Sequence, residues 1–264
     1  MATYDPNANL QILLSREELL FVLDLLQANF LPGMEEDTEG EMDNKLRDVV
    51  FRVARRALQA RELVRRRANG EYALHNSLLR TIGVCAYAQS RIFVYHWPSQ
   101  GDAPVRTYFH IRGNDSVLQS QPEPGLHRFL LLPLAQAPAQ VAASCQIQVQ
   151  ETEPEQTFYI SNTAFQSARQ QMADGHVQAA QEILTQAGAS ATAAARFTAA
   201  LAPAAAVSIL QMVRQNGSGV QRQDFTVIQH EGRGWIVEPA NPGDSSRLRV
   251  QSFSPARFQE ILGL

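Results

Sequence analysis

The chain has 264 residues, 45% of them apolar and 19% charged, the proportions of a globular protein with ample length for a large core or two fused halves. Its 23 basic and 26 acidic side chains give a net charge of −3, which excludes a general attraction to polyanions or membrane surfaces. No apolar run approaches the roughly 20 residues of a membrane helix, and the start MATYDPNANLQILL has no basic stretch and an early Asp5, so no secretory signal, no membrane contact and a cytoplasmic location are expected.

In chain order, Leu10 to Leu14 reads as a short strand. Ser15 and Glu18 then form a capping box, with Leu14 and Leu19 spaced as a hydrophobic staple. Leu19, Leu20, Leu23, Leu26 and Phe30 continue at helical spacing until Pro32-Gly33 stops the helix. The acidic run 35–43 lacks the distal glutamate of a calcium loop and reads as solvated charge. Its neighbour is basic: Asn44 to Arg80 holds ten Lys/Arg against three Asp/Glu. Val50, Val53, Ala54, Ala57 and Leu58 predict one buried helix stripe there. Leu63-Val64 and Tyr72-Ala73-Leu74 flank an Asn69-Gly70 turn, and a helix follows from Leu78 to Tyr87. Helix, hairpin and helix with basic residues at the hairpin make 44–87 a winged-helix-like segment.

Arg91 to Trp97 places Phe93, Tyr95 and Trp97 on one face of a strand and Ile92, Val94 and His96 on the other, as if both faces were covered. Strands are predicted at 105–111, 116–120 and 126–132, then a short helix at 135–143. Short apolar runs at 146–149 and 157–160 bracket an acidic linker. Helices are predicted at 162–173 and 177–184, then an alanine-rich one ending near Leu201. A second meander fills 204–253, and Ser254-Pro255 start the last helix as cap and first-turn proline.

The last third repeats the pattern of 91–132, with Phe225 standing 116 residues after Phe109 and the apolar runs in step around that pair. The expected fold class is α+β: a pseudo-two-fold internal repeat of antiparallel meanders, a central sheet, flanked by helices. The expected halves are 1–145, with its meander at 91–132, and 146–264, with helices at 162–201 and a meander at 204–253.

No phosphate-binding loop, nucleophile elbow, dinucleotide fingerprint or HExxH pattern occurs. Asn216-Gly217-Ser218-Gly219 lies between two strands and reads as a hairpin tip. The six histidines are scattered, although His96 and His110 fall on strands that could pair. Cys85 and Cys145 lack metal-ligand spacing and read as buried free thiols. No enzyme activity, metal or cofactor is expected. Arg65, Arg66 and Arg67 are the sharpest electrostatic feature and are candidate phosphate contacts if the segment binds DNA; otherwise they form a solvated face balancing the acidic run.

A capped leucine-rich helix closes on Leu31-Pro32-Gly33, followed by the run Ala57-Leu58-Gln59-Ala60-Arg61-Glu62-Leu63-Val64. A meander ends in Leu131-Leu132-Pro133, and the chain ends on SPARFQEIL. This order resembles the EspG family of cytosolic chaperones of type VII (ESX) secretion systems, over most of the chain. The chain departs from that family at Arg61-Glu62, where an Arg-Gly pair is usual. A second departure is Gly232-Arg233-Gly234-Trp235, a loose counterpart of a GRY-like strand. The resemblance implies a pseudo-two-fold α+β fold and a non-catalytic chaperone or adaptor that holds a helical client protein. It carries over no partner-binding residue. The alternative is a winged-helix DNA-binding regulator using 44–80.

Overall fold

A computed structural model describes residues 10–28, 31–34, 43–148, 156–217, 219–241 and 243–264. The elements in chain order begin with β1 (Leu10–Ser15), α1 (Arg16–Leu25), α2 (Asn44–Ala60), β2 (Val64–Arg66), β3 (Tyr72–Leu74) and α3 (Asn76–Ala86). Next come β4 (Ser90–Trp97), β5 (Val105–Arg112), β6 (Asp115–Glu123), β7 (Leu126–Pro133) and α4 (Ala137–Ser144). The chain continues through β8 (Thr157–Ser161), α5 (Asn162–Ala173), α6 (Val177–Gln186) and α7 (Ala191–Ala200). It ends with β9 (Ala206–Asn216), β10 (Gly219–His230), β11 (Arg233–Asn241), β12 (Asp244–Ser252) and α8 (Pro255–Leu262).

These elements form antiparallel sheets flanked by helices, an α+β architecture. Two compact units divide the chain: Met1–Arg91 with Thr107–Ala137, and Ile92–Arg106 with Pro138–Leu264. The split differs from a single cut at 145/146 because 92–106 groups with the second unit and 107–137 returns to the first.

In the first unit the strand order is β1-β7-β6-β5, with the β2–β3 hairpin as a separate ribbon. Ser15 caps α1 with the full capping box, its hydroxyl accepting from the Glu18 amide while its own amide donates to the Glu18 carboxylate. Leu14 and Leu19 are buried in the same cluster. The helix is shorter than its leucine spacing predicts. Gln27, at φ 52°, closes it, with the amides of Gln27 and Ala28 bonded back to Asp24 and Leu23; Phe30 lies outside the described residues. Phe21 packs edge-on to Phe51 and Tyr72, joining α1 to α2 and the hairpin.

The α2 stripe also differs from expectation. Only Ala54 and Leu58 are buried, whereas Val53 is 61% exposed, Val50 half-buried and Ala57 exposed. The inward line runs through Phe51, Ala54 and Leu58, spaced three and four apart, which turns Val53 and Ala57 outward. The helix ends in a Schellman motif, with Glu62 at φ 57° and the amides of Glu62 and Leu63 bonded to Gln59 and Leu58.

In the second unit the order is β4-β9-β10-β11-β12-β8. Phe158, Phe165, Phe197 and Trp235 form an aromatic core between the sheet and α5–α7, with ring centroids 5.2–6.1 Å apart. Buried Glu238 on β11 accepts from Arg257 at 2.6 Å and lies 3.7 Å from Arg249, which ties α8 to the sheet. Gln146–Gln148, the start of the first run that brackets the linker, has no regular secondary structure; Val149 lies outside the described residues.

Each unit runs an edge strand into a serine-capped helix, β1–Ser15–α1 and β8–Ser161–α5. Phe109 and Phe225 are both buried in the strand that opens a hairpin. Those hairpins close on Arg112↔Asp115 and His230↔Arg233, so the spacing in step with the turns is 118 residues. By that register Phe109 corresponds to Val227. The slip of two keeps both phenylalanines on one face, because side chains alternate along a strand.

Candidate functional site: an open cleft in the second unit

Strand alternation divides the second unit's sheet sharply. On β9, Ser208, Leu210 and Met212 are buried while Val207, Ile209, Gln211 and Val213 are half-buried. On β10, Phe225 and Val227 are buried, and Arg222, Asp224, Thr226 and Ile228 alternate onto the other face. Registered pairs place Ile209 opposite Thr226 and Val207 opposite Ile228. β4 carries the same division. Ile92, Val94 and His96 are buried, but Phe93, Tyr95 and Trp97 keep partial exposure, with Tyr95 and Trp97 stacked at 6.4 Å. The expectation that both faces of this strand are covered therefore fails on the aromatic side.

That face forms the floor of a cleft of about 750 Å³ lined entirely by the second unit. Trp97, Val207, Ile209, Thr226 and Ile228 lie at its base, α5 supplies Phe165 and Arg169, and the end of α7 supplies Leu201. The Arg169 guanidinium sits 5.8 Å from the Phe165 ring. The loop 99–102 makes another wall, fixed by Gln100 donating to the Pro203 carbonyl at 3.1 Å and Ser99 to Asp102 at 2.7 Å. Exposed Arg169, Gln166 and Gln170 rim the apolar floor. An apolar base with a polar rim is the pattern of a surface built to cover a partner. The aromatic alternation of β4 was the sequence signal for this face; Phe165 and Leu201 gave none, because sequence alone does not bring α5 and α7 beside β9.

The other residues singled out by sequence have structural settings. Cys85 and Cys145 are buried free thiols, and burial raises both thiol pKa values, that of Cys145 to about 12, which favours the protonated thiol. His96 and His110 fall in different units. Burial lowers both, with His96 Nδ1 at 2.9 Å from Ser208 and His110 Nε2 at 2.8 Å from Gln119. Among the described residues no group of three metal-ligating side chains occurs, and no helix is long and apolar enough to cross a membrane. The Asn216–Gly219 hairpin joins β9 and β10 as expected. Arg65 and Arg66 stand on β2 with Arg67 just after; all three are exposed, and Arg65 lies 3.9 Å from Glu62. The helix before them turns Leu46, Val49 and Val53 outward, a poor surface for a DNA groove.

The fold belongs to a known structural class. It is similar to the type VII secretion system chaperone EspG5 of Mycobacterium tuberculosis, solved in complex with a PE25–PPE41 dimer. The TM-score is 0.65 at 12% identity, over 95% of this chain and 94% of that one. Residues 11–256 match the family described as Uncharacterised protein YfjC, and the chain belongs to that family. No curated protein matches it.

Proposed function

We propose that the protein is a non-catalytic, cytoplasmic chaperone or adaptor that holds a helical segment of a client protein in the cleft of its second unit. The observation that carries this reading is the cleft floor, where half-buried Trp97, Val207 and Ile209 lie with buried Ile228 beside α5, at the end of the half-buried row Phe93-Tyr95-Trp97. An apolar helix laid there would pack against both a sheet and a helix, and the rim would hydrogen-bond its polar flank. The EspG-like fold supports the reading, since that neighbour is itself a chaperone in complex with a protein dimer. A secretion role for the client follows the same likeness.

The test is affinity purification of the tagged protein from its own cells at low and high salt, with nuclease, in parallel with Ile209→Asp and Trp97→Ala variants checked by circular dichroism. A stoichiometric, salt-resistant protein partner lost from both folded variants is expected. A partner retained by both, or nucleic acid released by salt, overturns the reading.

A further inference from the structure

We infer a second docking surface, in the first unit, for an acidic amphipathic helix of a partner protein. Along α2, Leu46 (51% exposed), Val49 (52%) and Val53 (61%) recur three and four residues apart and make an outward apolar stripe. It borders a groove of about 460 Å³ between α2 and the edge strand β1, walled by Leu13, itself 41% exposed, and Leu126. A stripe of this kind left open to water has no use in folding the unit, whose core takes the Phe51, Ala54 and Leu58 side of the same helix.

Charge selects the occupant. Lys45, Arg52 and Arg56 are exposed on α2 beside the stripe, and no carboxylate among the described residues pairs with them. Of the carboxylates in the groove wall, Glu18 is paired with Arg61 and accepts from the Ser15 amide, while Glu17 accepts from the Ser15 hydroxyl at 2.7 Å and keeps its charge on α1, across the groove from the cationic row of α2. The one acidic residue of α2, Asp48, stands on the far side of the cationic row. An apolar line with cations alongside that form no ion pair among the described residues complements a helix that carries leucines on one face and glutamates at its flank. The concave groove favours such a helix over a flat anionic bilayer.

The full chain would be titrated with two fluorescent helical peptides that share leucines at i, i+3 and i+7, one flanked by glutamates and the other by lysines. The glutamate peptide should bind at least tenfold more tightly, weaken as salt rises, and lose at least tenfold in affinity to Val53→Asp and to the pair Arg52→Glu, Arg56→Glu. These positions are exposed, so thermal melting should confirm folded variants. They should leave any client of the second unit's cleft in place, which separates failure here from failure of that reading. Equal binding of the two peptides, or binding indifferent to the substitutions, overturns the inference. So does binding of phosphatidylserine vesicles, duplex DNA or a second copy of the chain through these residues in place of the peptide.

Discussion

Arg61 bridges the end of α2 to the start of α1: its guanidinium lies 2.6 Å from the Glu18 carboxylate and donates to the Leu13 carbonyl at 2.9 Å. Leu13 and Ser15 point their backbone groups to the outer side of β1, the edge strand of the first unit. The Leu13 carbonyl is taken by Arg61 and the Ser15 amide by Glu18. The pair thus blocks an edge that would otherwise template pairing with another chain. Arg61→Ala should lower stability by about 1 kcal/mol, discounted because the arginine is 42% exposed. Light scattering should show faster aggregation than for Arg65→Ala, which bears only a solvent-exposed ion pair.

Glu62 occupies the left-handed position that ends α2, where EspG-like sequences usually carry glycine. A side chain there costs about 1–2 kcal/mol, partly offset by the extra freedom glycine has when unfolded. Glu62→Gly should therefore raise the urea midpoint, by about 0.5 kcal/mol of stability. Gly175 holds the same position after α5 at φ 80°, with open space around it. Gly175→Ala should accordingly lose about 1 kcal/mol from backbone strain alone.

Gly33 is constrained twice, by φ 84° and by Tyr108, whose Cε2 would stand 2.7 Å from an added Cβ. Tyr108 is itself buried on β5 and cannot swing aside cheaply. Gly33→Ala should destabilise by about 2–3 kcal/mol in denaturant unfolding. Relief on combining it with Tyr108→Leu would confirm the clash.

His110 should make the protein acid-sensitive. Burial lowers its pKa from 6.5 to about 4, and its Nε2 hydrogen donates to Gln119, whose amide in turn donates to the Pro32 carbonyl at 2.8 Å. The folded value is the depressed one, so as pH falls the unfolded chain takes up the proton first. Its contribution is intact above pH 6.5 and lost as pH falls toward 4. Between pH 7 and 5 the loss from this residue should be about 2 kcal/mol. His110→Gln should flatten urea stability against pH over that window without abolishing the slope, since His96 is shifted the same way.

Local chemistry was legible in the sequence wherever one residue dictated it. The Ser15–Glu18 box, the Asn69-Gly70 hairpin and the Ser254-Pro255 start all stand where their residues place them. The EspG-like fold came from the family resemblance carried by Leu31-Pro32-Gly33, 57–64, Leu131-Leu132-Pro133 and the closing SPARFQEIL. The α2 stripe misled because that helix has two apolar lines, Phe51-Ala54-Leu58 and Leu46-Val49-Val53, and spacing does not say which one meets the core. The cleft was half legible. Phe93, Tyr95 and Trp97 marked a face, but whether a helix covers it depends on α5 and α7, about 65–110 residues further along the chain.

The chain leaves the first unit at Arg91 and returns at Thr107, so β4 belongs to a unit whose remaining residues begin only at Pro138. Its neighbour there, β9, starts at Ala206. At a ribosome's pace of about 5–20 residues per second, the row Phe93-Tyr95-Trp97 emerges on the order of 10 s before that neighbour is made. For that interval the nascent protein exposes an apolar strand without its second-unit partner strand, and translation speed over 98–205 should govern how often it folds without help.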